Sequence, residues 1–294
     1  MIGGSSSENL ANTVASRLGA TSGKIEIKRF PDGEKYLRVL DDVKDHHVIV
    51  IQSMHHTPDE LLFEYLLLVD ALKDLGAKRV SSFIPYFAYA RQDERFKPGE
   101  ALSFRTVSKL IETVGTDDVF TIDMHQHRIL RSSEVFRIPS HNLSAMPLLA
   151  DYVMKEGILR NPLVIGPDAE AEQWAKLAAE TLHSDYDVFE KKRYTADRVE
   201  VRPRKATAKG RDILIVDDII STGGTIIEAA KTLFTQGAAR IEVACTHPIL
   251  AANSLSRIRE AGITNVIGTD TVPSPISFVS VAPIIADEVK KLRS

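Results

Sequence analysis

The sequence predicts an α/β fold made of mainly parallel sheets flanked by helices, and three observations predict it. Short apolar runs alternate with helix-spaced segments, the strongest runs are apolar on both faces, and one strand–helix–strand pattern occurs twice. A run apolar on both faces suits a strand covered by helices from either side, and strands alternating with helices close into parallel sheets through crossover connections.

Taken in chain order, Val48 to Gln52, Val80 to Pro85, Val119 to Asp123, Leu163 to Gly166, Ile213 to Val216, Ile241 to Thr246 and Asn265 to Gly268 read as strands. The helical segments are Pro58 to Leu75, Ser103 to Val114, Leu143 to Glu156, Glu170 to Leu182, Thr225 to Gln236, Ala252 to Glu260 and a final helix over Ile284 to Leu292. The repeated unit is Val48-Ile-Val-Ile-Gln with a helix ending Leu72-Lys-Asp-Leu-Gly-Ala, set against Ile213-Leu-Ile-Val-Asp with a helix ending Leu233-Phe-Thr-Gln-Gly-Ala. Glycine in each copy suits the left-handed residue that closes a helix, although βαβ units commonly end this way without duplication. The interruption Ile138-Pro-Ser-His-Asn places a domain boundary near His141, giving domains over 1–141 and 142–294, with the final helix able to return to the first.

Composition narrows the function classes. With 294 residues, 44% apolar and 26% charged, the chain suits one large or two medium domains. A net charge of −3 carries no polyanion bias, so nucleic acid is not an expected partner. The single Cys245 excludes an internal disulfide and any multi-cysteine metal site, and it sits in an apolar run as a core residue. No apolar segment has membrane-spanning length, and the first residues lack the pattern of a secretory leader, so no membrane and a cytoplasmic setting are expected.

The chemistry concentrates in Asp212-Ile-Leu-Ile-Val-Asp-Asp-Ile-Ile-Ser-Thr-Gly-Gly-Thr225. An apolar strand ends in Asp217 and Asp218, and a small hydroxyl-rich turn, Ser221, Thr222, Gly223, Gly224 and Thr225, opens a helix. Backbone N–H groups of such a turn, aided by the helix dipole, suit a phosphate, and glycine allows close approach. Two carboxylates beside a bare phosphate repel it; they fit a ligand that also carries hydroxyls or a metal ion, hence a sugar phosphate. An isolated Asp-Asp before Gly-Gly can equally be a plain helix cap.

Four further motifs accompany it. Arg29-Phe-Pro-Asp-Gly-Glu34 holds Phe30, which can stack on a purine, with Asp32, Gly33 and Glu34 at its tip; alone it is a hairpin turn with an incidental Phe. Arg91 and Gln92 end the run Ile84 to Asp93 and can grip a nucleotide or lie in a solvated loop. Ile122-Asp-Met-His125 ends another strand with an imidazole that can be structural or a ligand. Val188-Phe-Glu-Lys-Lys-Arg-Tyr194 is a basic cluster in a charge run reaching Lys205, which can simply face solvent.

The 212–225 string resembles the phosphoribosyl diphosphate loop, and the order of the motifs, with Val164-Ile-Gly-Pro-Asp168 before the basic cluster, resembles the ribose-phosphate diphosphokinase (PRPP synthetase) family over nearly the whole chain. The resemblance implies two tandem phosphoribosyltransferase-like domains. It implies Mg²⁺-dependent transfer of the β,γ-diphosphate of ATP to the 1-hydroxyl of ribose 5-phosphate, giving phosphoribosyl diphosphate and AMP. Residue by residue, Phe30, Asp32, Gly33, Glu34, Arg91, Gln92 and His125 match the ATP site, the first four offered by a neighbouring subunit, so that a homo-oligomer of at least two chains is implied. His125 and Asp168 match the metal positions; an imidazole is an unusual direct ligand for a hard cation and can act through water. Lys191 and Arg193 match the catalytic cations of a mobile loop, and Arg193, Asp217, Asp218 and Ser221 to Thr225 match the ribose 5-phosphate site.

Two departures stand out. Gln126-His-Arg-Ile-Leu-Arg-Ser-Ser133 differs from the usual stretch after the histidine, and Ser221 replaces a common acid while keeping a hydroxyl for phosphate. Two other readings share these residues: a phosphoribosyltransferase that consumes the diphosphate, and a catalytically silent homologue that regulates an active enzyme.

Overall fold

The computed structural model describes residues 1–125, 134–160, 162–195, 198–204 and 206–293, without the side chains of 191–202 and 293. The chain divides into two compact units, residues 1–143 with 280–294, and residues 144–279.

The first unit contains β1 (Ile2–Gly3), α1 (Glu8–Leu18), a hairpin of β2 (Ile25–Arg29) and β3 (Lys35–Val39), then β4 (His47–Ile51), α2 (Pro58–Asp74), β5 (Arg79–Ile84), α3 (Ser103–Thr113), β6 (Asp118–Ile122) and β7 (Ser140–Leu143). Its main sheet runs β1-β4-β5-β6-β7 with every neighbour parallel. Alternate residues along these strands separate the faces: Val48, Val50, Val80, Ile84 and Val119 join Leu68 and Leu72 of α2 and Ile111 of α3 in one core. Each such aliphatic side chain adds about 1.5–3 kcal/mol by leaving water.

The second unit holds α4 (Met146–Lys155), β8 (Leu163–Gly166), α5 (Glu172–Leu182), β9 (Tyr186–Thr195), β10 (Arg198–Pro203), β11 (Asp212–Ile220), α6 (Gly224–Thr235), β12 (Arg240–Pro248), α7 (Ser254–Glu260), β13 (Val266–Thr269) and β14 (Ser277–Val279). The order is β10-β9-β8-β11-β12-β13-β14, parallel except for β9 with β10. Ile213, Ile215, Ile241 and Val243 pack on Ile226, Ala230 and Leu233 of α6. Leu214, Val216 and Ala244 face the other way, onto Met146 and Val153 of α4 and Trp174 of α5. A helix layer on each face explains why these strands lack polar alternation. The last helix, α8 (Ala282–Arg293), belongs to the first unit and packs on α1.

The two Gly-Ala helix ends of the repeated pattern have the same geometry, one that α1 and α4 share at Gly19 and Gly157. Gly76 and Gly237 both take left-handed backbone, with φ 86° and 87°. Gly76 N–H donates to Lys73 O and Ala77 N–H to Leu72 O at 3.0 Å each; Gly237 N–H donates to Phe234 O at 2.9 Å and Ala238 N–H to Leu233 O at 3.0 Å. Both glycines therefore close their helices by the same pair of bonds.

Three segments differ from the sequence reading. Leu143 ends β7 rather than opening a helix; α4 starts three residues later, where Pro147 sits in its first turn and supplies the fixed φ a helix start requires. β11 runs past Val216 to Ile220, because β12 is equally long and continues the ladder, pairing Asp217 with Cys245 and Ile219 with His247. Across the basic run, where the resemblance implies a mobile loop, the backbone forms two antiparallel strands pairing Lys191 with Val201 and Arg193 with Val199. The alternation Val199-Glu-Val201 has the strand period. The stretch Gln126 to Ser133 and Lys205 lie outside the described residues.

Candidate functional site

In the second unit the site is built at the carboxyl end of β11. Its strand carries Asp217 and Asp218, and the turn Ser221 to Gly223 leads into α6. Gly223 is the N-cap of α6 in left-handed backbone, φ 73°. Ile227 N–H reaches Gly223 O at 3.0 Å to start the helix. The base of the turn is fixed from behind, where Leu250 and Ala251 donate to Ile220 O and Ser221 O at 2.9 and 3.0 Å. The first N–H groups of a helix have no partner within it, so the exposed Thr222 and Thr225 and the half-buried Ser221 and Gly224 surround a site suited to an anion.

Acids lie beside that anion site. Asp218 is buried and Asp217 half-buried. Burial, then Asp218, then Asp168 push the Asp217 carboxyl well above the usual carboxylate range. Asp168 follows β8 and accepts the N–H groups of Glu170 and Ala171 at 3.0 and 3.2 Å, which fixes its turn. It lines a cavity of about 310 Å³ together with Phe189, Gly224, Thr225 and Glu228. Beneath, the thiol of buried Cys245 is pushed up by burial and by Asp217, so it stays a protonated core group. Asp168, Asp217 and Asp218 are thus brought together with the phosphate turn. Lys191 and Arg193 lie on β9, with their side chains outside the described residues.

Asp168, Asp217 and Asp218, carboxylates gathered beside one turn, suit ribose hydroxyls or a hard divalent cation. Among the described residues no group of three His, Cys, Asp or Glu side chains is arranged to enclose a metal. A cation here would complete its shell with water and substrate oxygens, as Mg²⁺ does.

In the first unit, Phe30, Asp32, Gly33 and Glu34 form the tip of the β2–β3 hairpin, all exposed. Phe30 N–H donates to Glu34 O at 2.8 Å, Gly33 N–H to Phe30 O at 2.9 Å, and Glu34 N–H to Asp32 Oδ1 at 3.2 Å. The Phe30 ring meets Tyr36 edge-on at 6.0 Å and is half exposed. Arg91 and Gln92 lie in the loop after β5, entered through Tyr89 at φ 68°. The Tyr89 hydroxyl donates to Asp59 in the first turn of α2. The half-buried His125 follows β6, where Met124 N–H donates to Asn142 Oδ1 at 2.9 Å. The loops after adjacent parallel strands β5 and β6 leave from the same carboxyl end of the sheet, the end where ligands bind in open α/β sheets.

Sequence reasoning passed over Glu60 and Glu64 on α2, which hold the hairpin: Arg29 Nη2 lies 2.5 Å from Glu60 and Lys35 Nζ 2.7 Å from Glu64. Their i, i+4 spacing on a helix beginning at Pro58 was the available signal. Phe189 and Asn142 gave no sequence signal; the register of β9 and β7 reveals them.

Comparison with known proteins agrees with both halves. Residues 1–115 match the family described as the N-terminal domain of ribose phosphate pyrophosphokinase, and residues 133–272 match the phosphoribosyl transferase domain. A ribose-phosphate pyrophosphokinase of Methanothermobacter thermautotrophicus is 43% identical over 290 residues, 99% of each chain. One from Methanopyrus kandleri is 40% identical over 96% of each chain. The crystal structure of a phosphoribosylpyrophosphate synthetase from Mycobacterium smegmatis superposes with a TM-score of 0.88 at 29% identity, covering 99% of this chain and 97% of that one.

Proposed function

Since the chain belongs to the ribose-phosphate pyrophosphokinase family, we propose that it transfers the β,γ-diphosphate of ATP to the 1-hydroxyl of ribose 5-phosphate, forming phosphoribosyl diphosphate and AMP. The observation that carries this reading is the convergence of Asp168 and Asp217 beside the N-terminus of α6: one wall accepts sugar hydroxyls while the other binds phosphate.

The anomeric oxygen attacks the β-phosphorus, a new P–O bond forms, the bond from the β-phosphorus to the oxygen bridging it to the α-phosphorus breaks, and AMP leaves with that oxygen while the proton of the attacking hydroxyl is released to water. Catalysis of such a step is positioning and charge neutralisation. The turn Ser221 to Thr225 binds the 5-phosphate by backbone N–H groups, and Asp217 and Asp218 orient the ribose hydroxyls. Phe30 stacks on the base, Arg91 and Gln92 bind ATP with His125, and Lys191 and Arg193 meet the moving phosphoryl group. Asp168 in the second unit and His125 in the first, directly or through water, are the residues that would hold Mg²⁺, whose chemistry would be to neutralise the phosphates. The hairpin residues serve the site of a neighbouring subunit, which requires at least a dimer. No helix among the described residues is long and apolar enough to cross a membrane.

³¹P NMR of the protein with Mg²⁺, ATP and ribose 5-phosphate tests the reaction, because it reports which phosphorus is attacked. AMP with a C1-linked diphosphate is expected. ADP with ribose 1,5-bisphosphate would make the protein a simple kinase, and base-dependent diphosphate release from added phosphoribosyl diphosphate would make it a transferase.

A further inference from the structure

The β2–β3 hairpin is held at its two ends by different forces. Away from the tip, Ile25, Leu37 and Val39 pack on the apolar core of the first unit. Next to the tip, the cross-strand pair Arg29 and Lys35 closes the turn that carries Phe30, Asp32, Gly33 and Glu34. Both members of that pair are cations, and each docks on a glutamate of α2, Arg29 on Glu60 and Lys35 on Glu64, one helical turn apart.

The two docks are unequal. Arg29 and Glu60 are each about half exposed, whereas the Glu64 side chain is 1% exposed and that of Lys35 9%. A carboxylate so buried requires a full set of donors, and Glu64 has one. Its Oε1 accepts Ser5 N–H at 2.8 Å and Gln52 Nε2 at 3.0 Å; its Oε2 accepts Ser5 Oγ at 2.9 Å and Lys35 Nζ at 2.7 Å. Lys35 Nζ also donates to Glu60 O at 3.0 Å. One side chain therefore joins the segment before α1, the residue that follows β4 and the end of the hairpin next to its tip. The exposed Phe30 ring gains nothing from this arrangement in the folded monomer; what the arrangement fixes is where the ring stands.

We infer that Glu64 is a positioning residue for nucleotide binding: through Lys35, with Glu60 and Arg29 as the outer clasp, it holds the hairpin tip in the conformation that receives the ATP base. The assignment rests on the reading of Phe30, Asp32 and Glu34 as ATP contacts. Glu64 itself touches no reacting atom. Its effect is on binding common to ground and transition states, so its loss should raise KM for ATP and leave kcat in place.

The test combines hydrogen exchange with kinetics on the full chain carrying Glu64→Gln, Glu60→Gln or Lys35→Met. Glu60→Gln alters an exposed pair and preserves the fold, and Lys35→Met leaves Glu64 its Ser5 and Gln52 donors, so the test does not depend on one variant. Faster amide exchange across residues 25–39, with α2 and the main sheet unchanged, is expected. It should accompany a rise in KM for ATP of about tenfold for Glu64→Gln and a smaller one for Glu60→Gln, with kcat and KM for ribose 5-phosphate held within about twofold. Unchanged exchange in the hairpin for all three variants would overturn the clasp. Faster exchange with KM for ATP unmoved would overturn the inference through its other half, the nucleotide role of the hairpin, and leave the anchoring standing. A fall in kcat at constant KM for ATP would also overturn it, because that would place Glu64 in the chemical step. The exchange readout needs no activity, so a failure of the proposed reaction is separable from a failure of the clasp.

Discussion

A Cβ built on Gly223 would lie 2.9 Å from Cδ1 of Ile258, and the backbone there is left-handed at φ 73°. The turn from Ser221 to Gly223 is therefore wedged against α7 at one residue. Gly224, next in the chain, meets only Thr222 Oγ1 at 3.9 Å. Two adjacent glycines that look equivalent in the sequence thus stand in different surroundings, one pressed against the fold and the other beside the open cavity lined by Asp168 and Thr225.

Gly223→Ala should cost about 2–4 kcal/mol, from left-handed strain and overpacking together, and should lower Tm by several degrees. Gly224→Ala should leave Tm unchanged or slightly raised, since alanine restricts the unfolded chain. Its cost should fall on ribose 5-phosphate, with KM up about tenfold, about 1.4 kcal/mol of lost contact. Thermal unfolding and steady-state kinetics on both variants separate the two; an equal loss of Tm would show that both glycines serve the fold.

Asp217 gives a stability prediction with a definite sign. Its carboxyl is raised above the unfolded value of about 3.9, chiefly by burial and then by Asp218 and Asp168. The folded state consequently binds more protons than the unfolded state between those two values, and stability falls as pH rises from about 4 through the raised folded pKa. Asp217→Asn removes that loss. Without Mg²⁺ or substrates, the variant should be more stable than the wild type at neutral pH, by a few degrees, and the gap should close toward pH 4. Thermal unfolding across that range checks it, and a gap independent of pH would count against a raised carboxyl. The same variant should bind ribose 5-phosphate poorly, stability having been gained by removing a group the ligand uses.

What the sequence made legible follows its physics. Ile213 to Val216 and Ile241 to Thr246 were readable as strands because burial on both faces leaves an unbroken apolar run, and Gly76 and Gly237 marked their helix ends because left-handed backbone favours glycine. β7 was not readable: Ser140 to Leu143 is an edge strand with His141 exposed, so its composition carries no strand signal. β1 has two residues and no period at all. At the candidate site, the Asp217 to Thr225 turn was legible because its residues are consecutive in the chain. The hairpin anchors were not, since Glu64 meets Ser5, Lys35 and Gln52 only in the folded unit.

Lys191 lies on β9 opposite Val201. A cation that meets the phosphoryl group mainly in the transition state contributes to kcat and not to ATP binding. Lys191→Ala should lower kcat by about 10³-fold, the scale of a lost cation in phosphoryl transfer, with KM for ATP changed by less than about threefold. A variant whose only defect was a raised KM would move Lys191 from the chemical step to ground-state binding.

Phe30 stands half exposed at the tip of a turn closed by its own backbone bonds. Stacking of an aromatic ring on a base contributes about 1–3 kcal/mol, so Phe30→Ala should raise KM for ATP by about 5- to 150-fold and leave KM for ribose 5-phosphate unmoved. If the ring serves a neighbouring subunit, then mixed oligomers of Phe30→Ala and Lys191→Ala chains contain some sites that keep both wild-type residues. Assayed at ATP well below the KM of the Phe30→Ala variant, each variant alone should be nearly inactive and the mixture, after exchange of subunits, should recover a substantial share of wild-type rate. Were each site made by one chain alone, every site in the mixture would carry one of the two defects, and the rate would stay at the average of the separate variants.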